Sequence, residues 1–352
     1  MKSLVELLRK AVEDEASDVF IVAGKAASEK VDGHIVLMDE GILLPPETEK
    51  MIMEIYETAG RSVDRFIELG DDDFSFSLPG LARFRVNAYR QRGSMAAVIR
   101  VISFDIPDWK EFRIPEEIMK ISEIQDGMVL FTGIAGSGKS TTQACIIDRI
   151  NNTKDCHIVT LEDPIEFLHR HKKSLISQRE ISIDTTDYLS AMRACLRQSP
   201  DVILLGEMRD AQTIQTALTA AETGHTIIAT LHTKGAVNAV NRIIDGFPND
   251  QQVFVRAQLS TVLRTVVSQQ LLPGVNGTRV PAFEIMHLTN AVKSMIRDNK
   301  AHQINNAISS GNNEGMISMD QSILALYKEG AITKETALEY ADNPEQLKRW
   351  LQ

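Results

Sequence analysis

Apolar and polar positions fall into two rhythms along this chain, and the change of rhythm near residue 104 divides it. From Ser3 to Asp14, Leu4, Leu7, Leu8 and Val12 recur at helical spacing, which predicts an amphipathic helix. Asp18 to Val22 reads as a strand, and Lys30-Val31 and His34 to Leu37 flank Asp32-Gly33, a two-residue hairpin signal. Pro45 and Pro46 open a helix that turns Met51, Ile52, Ile55 and Tyr56 inward. Phe74 to Leu78, Ala82 to Tyr89 and Ala96 to Ile102 then alternate as half-buried strands, with the turn Pro79-Gly80 between the first two. This pattern predicts a small α+β domain over 1–103, built on an antiparallel sheet. Residues 104–115 hold Pro107 and Pro115 and no long apolar period, and read as a linker.

From residue 116 the strands become unbroken apolar runs separated by helical stretches, the mark of a parallel sheet covered on both faces. The runs are Met128 to Phe131, Ile158 to Leu161, Val202 to Leu205 and Thr226 to Leu231. Ala211 to Thr223 reads as a helix stopped at Gly224. Gln269 to Leu272 and Arg279 to Met286 form a hairpin around Pro273 to Gly277. The α/β domain spans 116–289. A helical region, 290–352, follows, in which Ser318 and Gln321 make a capping box.

The first of these runs ends in Gly133-Ile134-Ala135-Gly136-Ser137-Gly138-Lys139-Ser140, a full G-x-x-x-x-G-K-S match between a strand and a helix. Glycines allow successive N–H groups to point inward at phosphate oxygens, and the helix N-terminus adds positive potential. Lys139 can reach the β- and γ-phosphates of a nucleoside triphosphate, and the Ser140 hydroxyl can ligate Mg²⁺. Asp201 to Leu205 runs into Gly206-Glu207, an apolar strand ending in a carboxylate, and is expected beside the loop-bearing strand. Glu207 there would orient an attacking water. Thr160 to Glu166 is a second strand ending in acids, and Glu162 and Asp163 could hold Mg²⁺ through water or help activate the nucleophile. His225 and His232 bracket the Thr226 to Leu231 strand, and His232 takes the carboxyl end, where such sheets place ligands.

Composition narrows the picture only a little. The 352 residues are 43% apolar and 24% charged, a globular mix for two or three domains. A net charge of −10 argues against nucleic acid as the main partner. No apolar run approaches the length of about 18 residues that spans a bilayer. The acidic N-terminus lacks the apolar core of a signal peptide. Cys145, Cys156 and Cys195 show no paired spacing, which suits a reducing compartment and no structural zinc.

In order, GIAGSGKST, TLEDPIEF, DVILLGEMRD and TGHTIIATLHT resemble the motifs of the type II/IV secretion ATPases, and the likeness runs along nearly the whole chain. It is strongest to the branch that retracts type IV pili. The resemblance implies a PAS-like N-terminal domain, a RecA-like ATPase domain and a homohexameric ring that hydrolyses ATP with Mg²⁺. Such a ring acts on an inner-membrane platform protein, alone or beside a paralogous pilus ATPase, from the cytoplasmic face of the membrane. Carried over, Gly133, Ala135, Gly136, Ser137, Gly138, Lys139, Ser140 and Thr141 would bind the phosphates, with Ser140 on the metal. Glu207 would be the catalytic glutamate, Glu162 and Asp163 the acidic-box carboxylates, and His225 and His232 the histidine-box pair. Arginines of the late N-terminal strands reach nucleotide in this family, and Arg83, Arg85, Arg90, Arg92 and Arg100 are candidates here. The segment Ala291 to Asp298 departs from the branch's usual AIRNLIRE, and Phe20 stands where a histidine is common. The family's alternative roles are an accessory subunit or a secretion or conjugation ATPase.

Overall fold

The computed structural model describes residues 3–31, 33–102 and 104–351. Its contacts divide the chain into two units: Met1–Asp105 with Glu166–Leu168, and Ile106–Ile165 with His169–Gln352.

The first unit is a six-stranded antiparallel sheet. Its strands are β1 (Asp18–Ile21), β2 (Ser28–Val31), β3 (His34–Leu37), β4 (Asp71–Leu78), β5 (Ala82–Gln91) and β6 (Ser94–Ile102), in the order β3-β2-β1-β6-β5-β4. Ser3 and Glu6 form a capping box that starts the helix Leu4–Glu13, and Pro45 and Pro46 start Pro45–Thr58. These helices bury Leu4, Leu7, Leu8, Ile52 and Ile55 against Val19, Ile21, Phe84, Val86 and Ile99 of the sheet. Strand alternation puts Phe84, Val86 and Ala88 in that core and leaves Arg83 and Arg85 on the other face. A further helix, Asp64–Leu69, escapes the sequence reading because it is a short piece with one buried anchor, Phe66. In the β2–β3 hairpin signal, Asp32 lies outside the described residues.

The second unit carries seven strands: β7 (Gly127–Thr132), β8 (His157–Glu162), β9 (Leu175–Glu180), β10 (Val202–Leu205), β11 (Thr226–Leu231), β12 (Leu263–Pro273) and β13 (Arg279–His287). Their order is β13-β12-β7-β11-β10-β8-β9, parallel except for the β12–β13 hairpin. Side chains that alternate along the strands feed two cores. Leu130, Leu161, Leu205 and Ala229 pack with the helices Tyr188–Cys195, Ala211–Glu222, Ala236–Asp245 and Gln252–Val262. Val129, Phe131, Leu204 and Ile228 pack with Lys139–Thr153 on the other face. The helices Met319–Lys328, Lys334–Tyr340 and Pro344–Trp350 close a separate core on the hairpin, around Leu272, Val280 and Ala282.

One expectation is corrected. The acid-bearing strand β10 does not lie beside the loop-bearing strand β7, because β11 sits between them and pairs with both. Every residue of β11 is buried, so its apolar run suits the middle of the sheet.

Candidate functional site

The site forms along the edge where the parallel strands end. Register puts Thr132, Leu231, Leu205, Leu161 and Ser268 at that edge, so the residues that follow each strand converge there. The β7 loop is bent by glycines that only glycine tolerates. Gly136 and Gly138 have φ of +75° and +86°. At Gly133 a Cβ would stand 2.4 Å from the Gln269 carbonyl oxygen. The loop then enters Lys139–Thr153, whose buried lysine turns back on the loop. Lys139 Nζ donates to the carbonyls of Gly133 (2.9 Å) and Ile134 (2.7 Å). Ser140 and Thr141 fill the first helical turn, where backbone N–H groups lack intrahelical partners. Thr142 Oγ1 donates to Gln269 Oε1 at 2.9 Å and so ties the helix to β12.

Glu207, two residues past β10, is buried. Arg209 Nε reaches its Oε1 at 2.6 Å, and His232 Nε2 stands 3.4 Å from its Oε2. That hydrogen bond to Glu207 raises the Arg209 guanidinium above its ordinary value. Each carboxylate oxygen accepts more than one hydrogen bond, so these contacts leave acceptor positions for a water. Next along the edge, Glu162 Oε1 accepts from Thr160 Oγ1 (2.6 Å) and Gln178 Nε2 (3.2 Å), and Asp163 follows it at the surface. Tyr188, at the start of its helix, lies beside these acids. Burial, then the charges of Glu207, Asp163 and Glu162, push its phenol well above the ordinary value, so it stays a neutral donor.

The structure therefore gathers Glu162, Asp163, Glu207 and His232 along the edge that carries the phosphate loop. It does not bring His225 there. His225 precedes β11, its carbonyl accepts from Gly127 N–H at 3.1 Å, and its ring faces the Ala220 carbonyl at 3.0 Å. A strand of this length spans about 20 Å, which puts His225 at the opposite edge. Of the arginines, Arg83 and Arg85 lie on β5, Arg92 in the β5–β6 turn with φ +49°, and Arg100 on β6, where Nε donates to Asp18 Oδ1 at 3.0 Å. Arg90 stacks over the Phe66 ring.

Two features escaped the sequence. Tyr188 lies outside every motif, and Arg209, although inside DVILLGEMRD, has no role in the sequence reading. Beside Gly138, Thr141 and Thr142 there is also a cavity of about 560 Å³. Its walls come from 111–114, Gln269, Leu271, 278–281 and 329–331, stretches too far apart in the chain for any local pattern to join. A volume of about 300–1,000 Å³ is typical of small-molecule sites.

For Mg²⁺ the donors fit the ion's habit of taking few protein ligands and keeping water and phosphate oxygens. Ser140 starts the helix behind the loop, carboxylates stand at the same edge, and the described residues hold no closed cluster of three or more His, Cys, Asp or Glu.

A glycine loop between a buried strand and a helix, with acids at the same sheet edge, defines a phosphate-loop protein of the parallel-sheet ATPase class. The chain belongs to the type II/IV secretion system protein family, whose model matches residues 1–315. It is 42% identical over 344 residues to the Type IV pilus retractation ATPase PilT of Pseudomonas aeruginosa, covering 97% of this chain and 99% of that one. A twitching motility protein of Neisseria gonorrhoeae is 42% identical over 346 residues, covering 98% of this chain and 92% of the relative. In three dimensions it resembles the crystal structure of the pilus retraction motor PilT with bound ADP, at a TM-score of 0.90 and 41% identity, over 99% of this chain and 100% of that one. Among the described residues no helix is long and apolar enough to cross a membrane.

Proposed function

We propose that this protein is an ATP-hydrolysing motor that powers type IV pilus retraction. The observation that carries the reading is end-to-end likeness to retraction proteins, joined to a complete phosphate loop and an acid at the same sheet edge. The accessory reading is not favoured, since such a subunit would be expected to have lost Lys139 or Glu207. The protein works as a homohexamer in the cytoplasm, at the inner face of the membrane, against a platform protein of the pilus machine. Its acidic charge fits a protein partner rather than nucleic acid.

We assign residue roles on the geometry of the sheet edge and, for the arginines, on the family resemblance. The phosphates lie against the loop N–H groups and the helix that begins at Lys139. Lys139, which rests on loop carbonyls, turns to the terminal phosphates. Ser140 would hold Mg²⁺, which would neutralise phosphate charge there. Glu207 accepts from the attacking water and orients it, while His232, Arg209 and Tyr188 set the direction of that carboxylate. Glu162 and Asp163 would add carboxylate acceptors at the edge where the metal would sit. Arg83, Arg85 and Arg92 are the arginines we assign to charge neutralisation as the phosphoryl group leaves. The segment 104–115 is the hinge between domains. The cavity beside Gly138 takes the base and ribose. Leu271→Trp, which fills it, is expected to raise the ATP dissociation constant by about tenfold or more, measured with a fluorescent nucleotide.

Deleting the gene tests the whole reading. Surface pili should accumulate and twitching should stop, and the wild-type gene should restore both while a Lys139→Ala copy restores neither. Cells that lose their pili on deletion, or retract them at the normal rate, would overturn it.

A further inference from the structure

The loop that follows β11 carries His232 to Glu207, and three neighbouring strands grip it. Thr132 of β7 donates from Oγ1 to the Thr233 carbonyl. Ser268 of β12 accepts from Gly235 N–H at 3.1 Å. Glu284 of β13 accepts from Ala236 N–H at 2.7 Å, through a side chain that is almost fully buried. Ser268 and Glu284 are direct cross-strand partners, so one pair of side chains holds two successive backbone donors. Ala236 is the first residue of the helix Ala236–Asp245, and the Glu284 carboxylate supplies the cap that Gly235 cannot. The same carboxylate also faces the backbone N–H of Met319, the first residue of Met319–Lys328. Two helix N-termini thus meet on one buried acid.

A carboxylate here is a costly choice. Buried charge is unfavourable unless donors compensate it, and Asp320 and Asp342 add negative charge nearby. Asp320 is itself engaged, accepting from Asp342 N–H (2.7 Å) and Asn343 N–H (3.0 Å). Lys234, on the loop itself, faces Asp342 with opposite charge. The arrangement joins the helices that follow β13 to the histidine loop through the Glu284 side chain, with the Lys234–Asp342 attraction beside it.

We propose that Glu284 is a positioning residue for hydrolysis: it locks the loop that aims His232 at Glu207 and lets the C-terminal helices set that aim. The inference rests on the roles proposed for Glu207 and His232. Burial pushes the Glu284 carboxyl up to about 7, against the donors at Ala236 and Met319 that favour its charged form. Ionisation strengthens its hold on both helix starts, so the grip tightens as pH rises through that value.

The test measures ATPase rates of the purified assembly, with Glu284→Gln and Glu284→Ala beside the wild type from pH 6 to pH 8. Glu284→Ala should lower kcat by about tenfold or more, the usual scale for losing such a support, while the ATP dissociation constant stays within about twofold. Glu284→Gln keeps an acceptor but cannot ionise. It should recover most of the turnover at pH 6, and the ratio of wild-type to Gln turnover should rise between pH 6 and pH 8. If the ratio is flat across that range, the inference fails, whether or not the alanine variant folds. Glu207→Gln run in parallel separates the two readings. If Glu207→Gln turns over normally, the site assignment has failed. If it is inactive and the Glu284 ratio is flat, only the positioning role has failed.

Discussion

Lys139→Ala is expected to abolish ATP hydrolysis, with turnover down by about three orders of magnitude and the ATP dissociation constant up by about 10–100-fold. The argument begins with where the lysine sits. Its ammonium is buried against the Gly133 and Ile134 carbonyls, inside the curve of the loop, so a phosphate entering that curve meets a positive charge close by. Once turned to the phosphates, that charge acts where negative charge builds during phosphoryl transfer. Alanine removes the charge and leaves the glycine-built backbone. Nucleotide titration and a phosphate-release assay read the two effects separately. Retention of more than about a tenth of wild-type turnover would remove Lys139 from the mechanism.

Glu207→Gln should separate binding from chemistry. Amide and carboxylate have nearly the same shape, so the dissociation constant for ATP should stay within about twofold, while turnover falls by about 10²–10⁴, the range for a lost general base. Arg209 and His232 sharpen the expectation. Both contact the carboxylate, and an amide can offer only one of them its oxygen, so the direction that holds a water is disturbed along with the charge. A single-turnover experiment with excess enzyme checks whether the chemical step itself is slowed. Normal single-turnover rates in the variant would assign Glu207 a structural task instead.

What could be read from the sequence is what is local. The phosphate loop is legible because its strand, glycine turn and helix are consecutive, so residues 127–153 state their own geometry. The apolar runs of β8, β10 and β11 are legible for the same reason, as is the capping box at Ser318. Strand order is not local. Nothing in Val202 to Leu205 says that β11 will stand between it and β7, since that depends on which buried run packs best at the centre. The cavity, Tyr188 and the link through Glu284 are hidden for a like cause: each joins residues from separate stretches of the chain, which no local pattern connects. His225 and His232 flank one strand, and chain direction alone already favours His232, at the carboxyl end; His225 enters the site only through the family resemblance.

The nucleoside-sized cavity has walls drawn from 111–114 at one end of the domain and from 329–331 near the other. Arg113 and Glu329 meet across it at 3.0 Å. Residues 329–331 therefore wall a cavity that opens beside a loop about 190 positions earlier, so a truncation before residue 329 would leave the glycine loop whole and take away one side of the cavity.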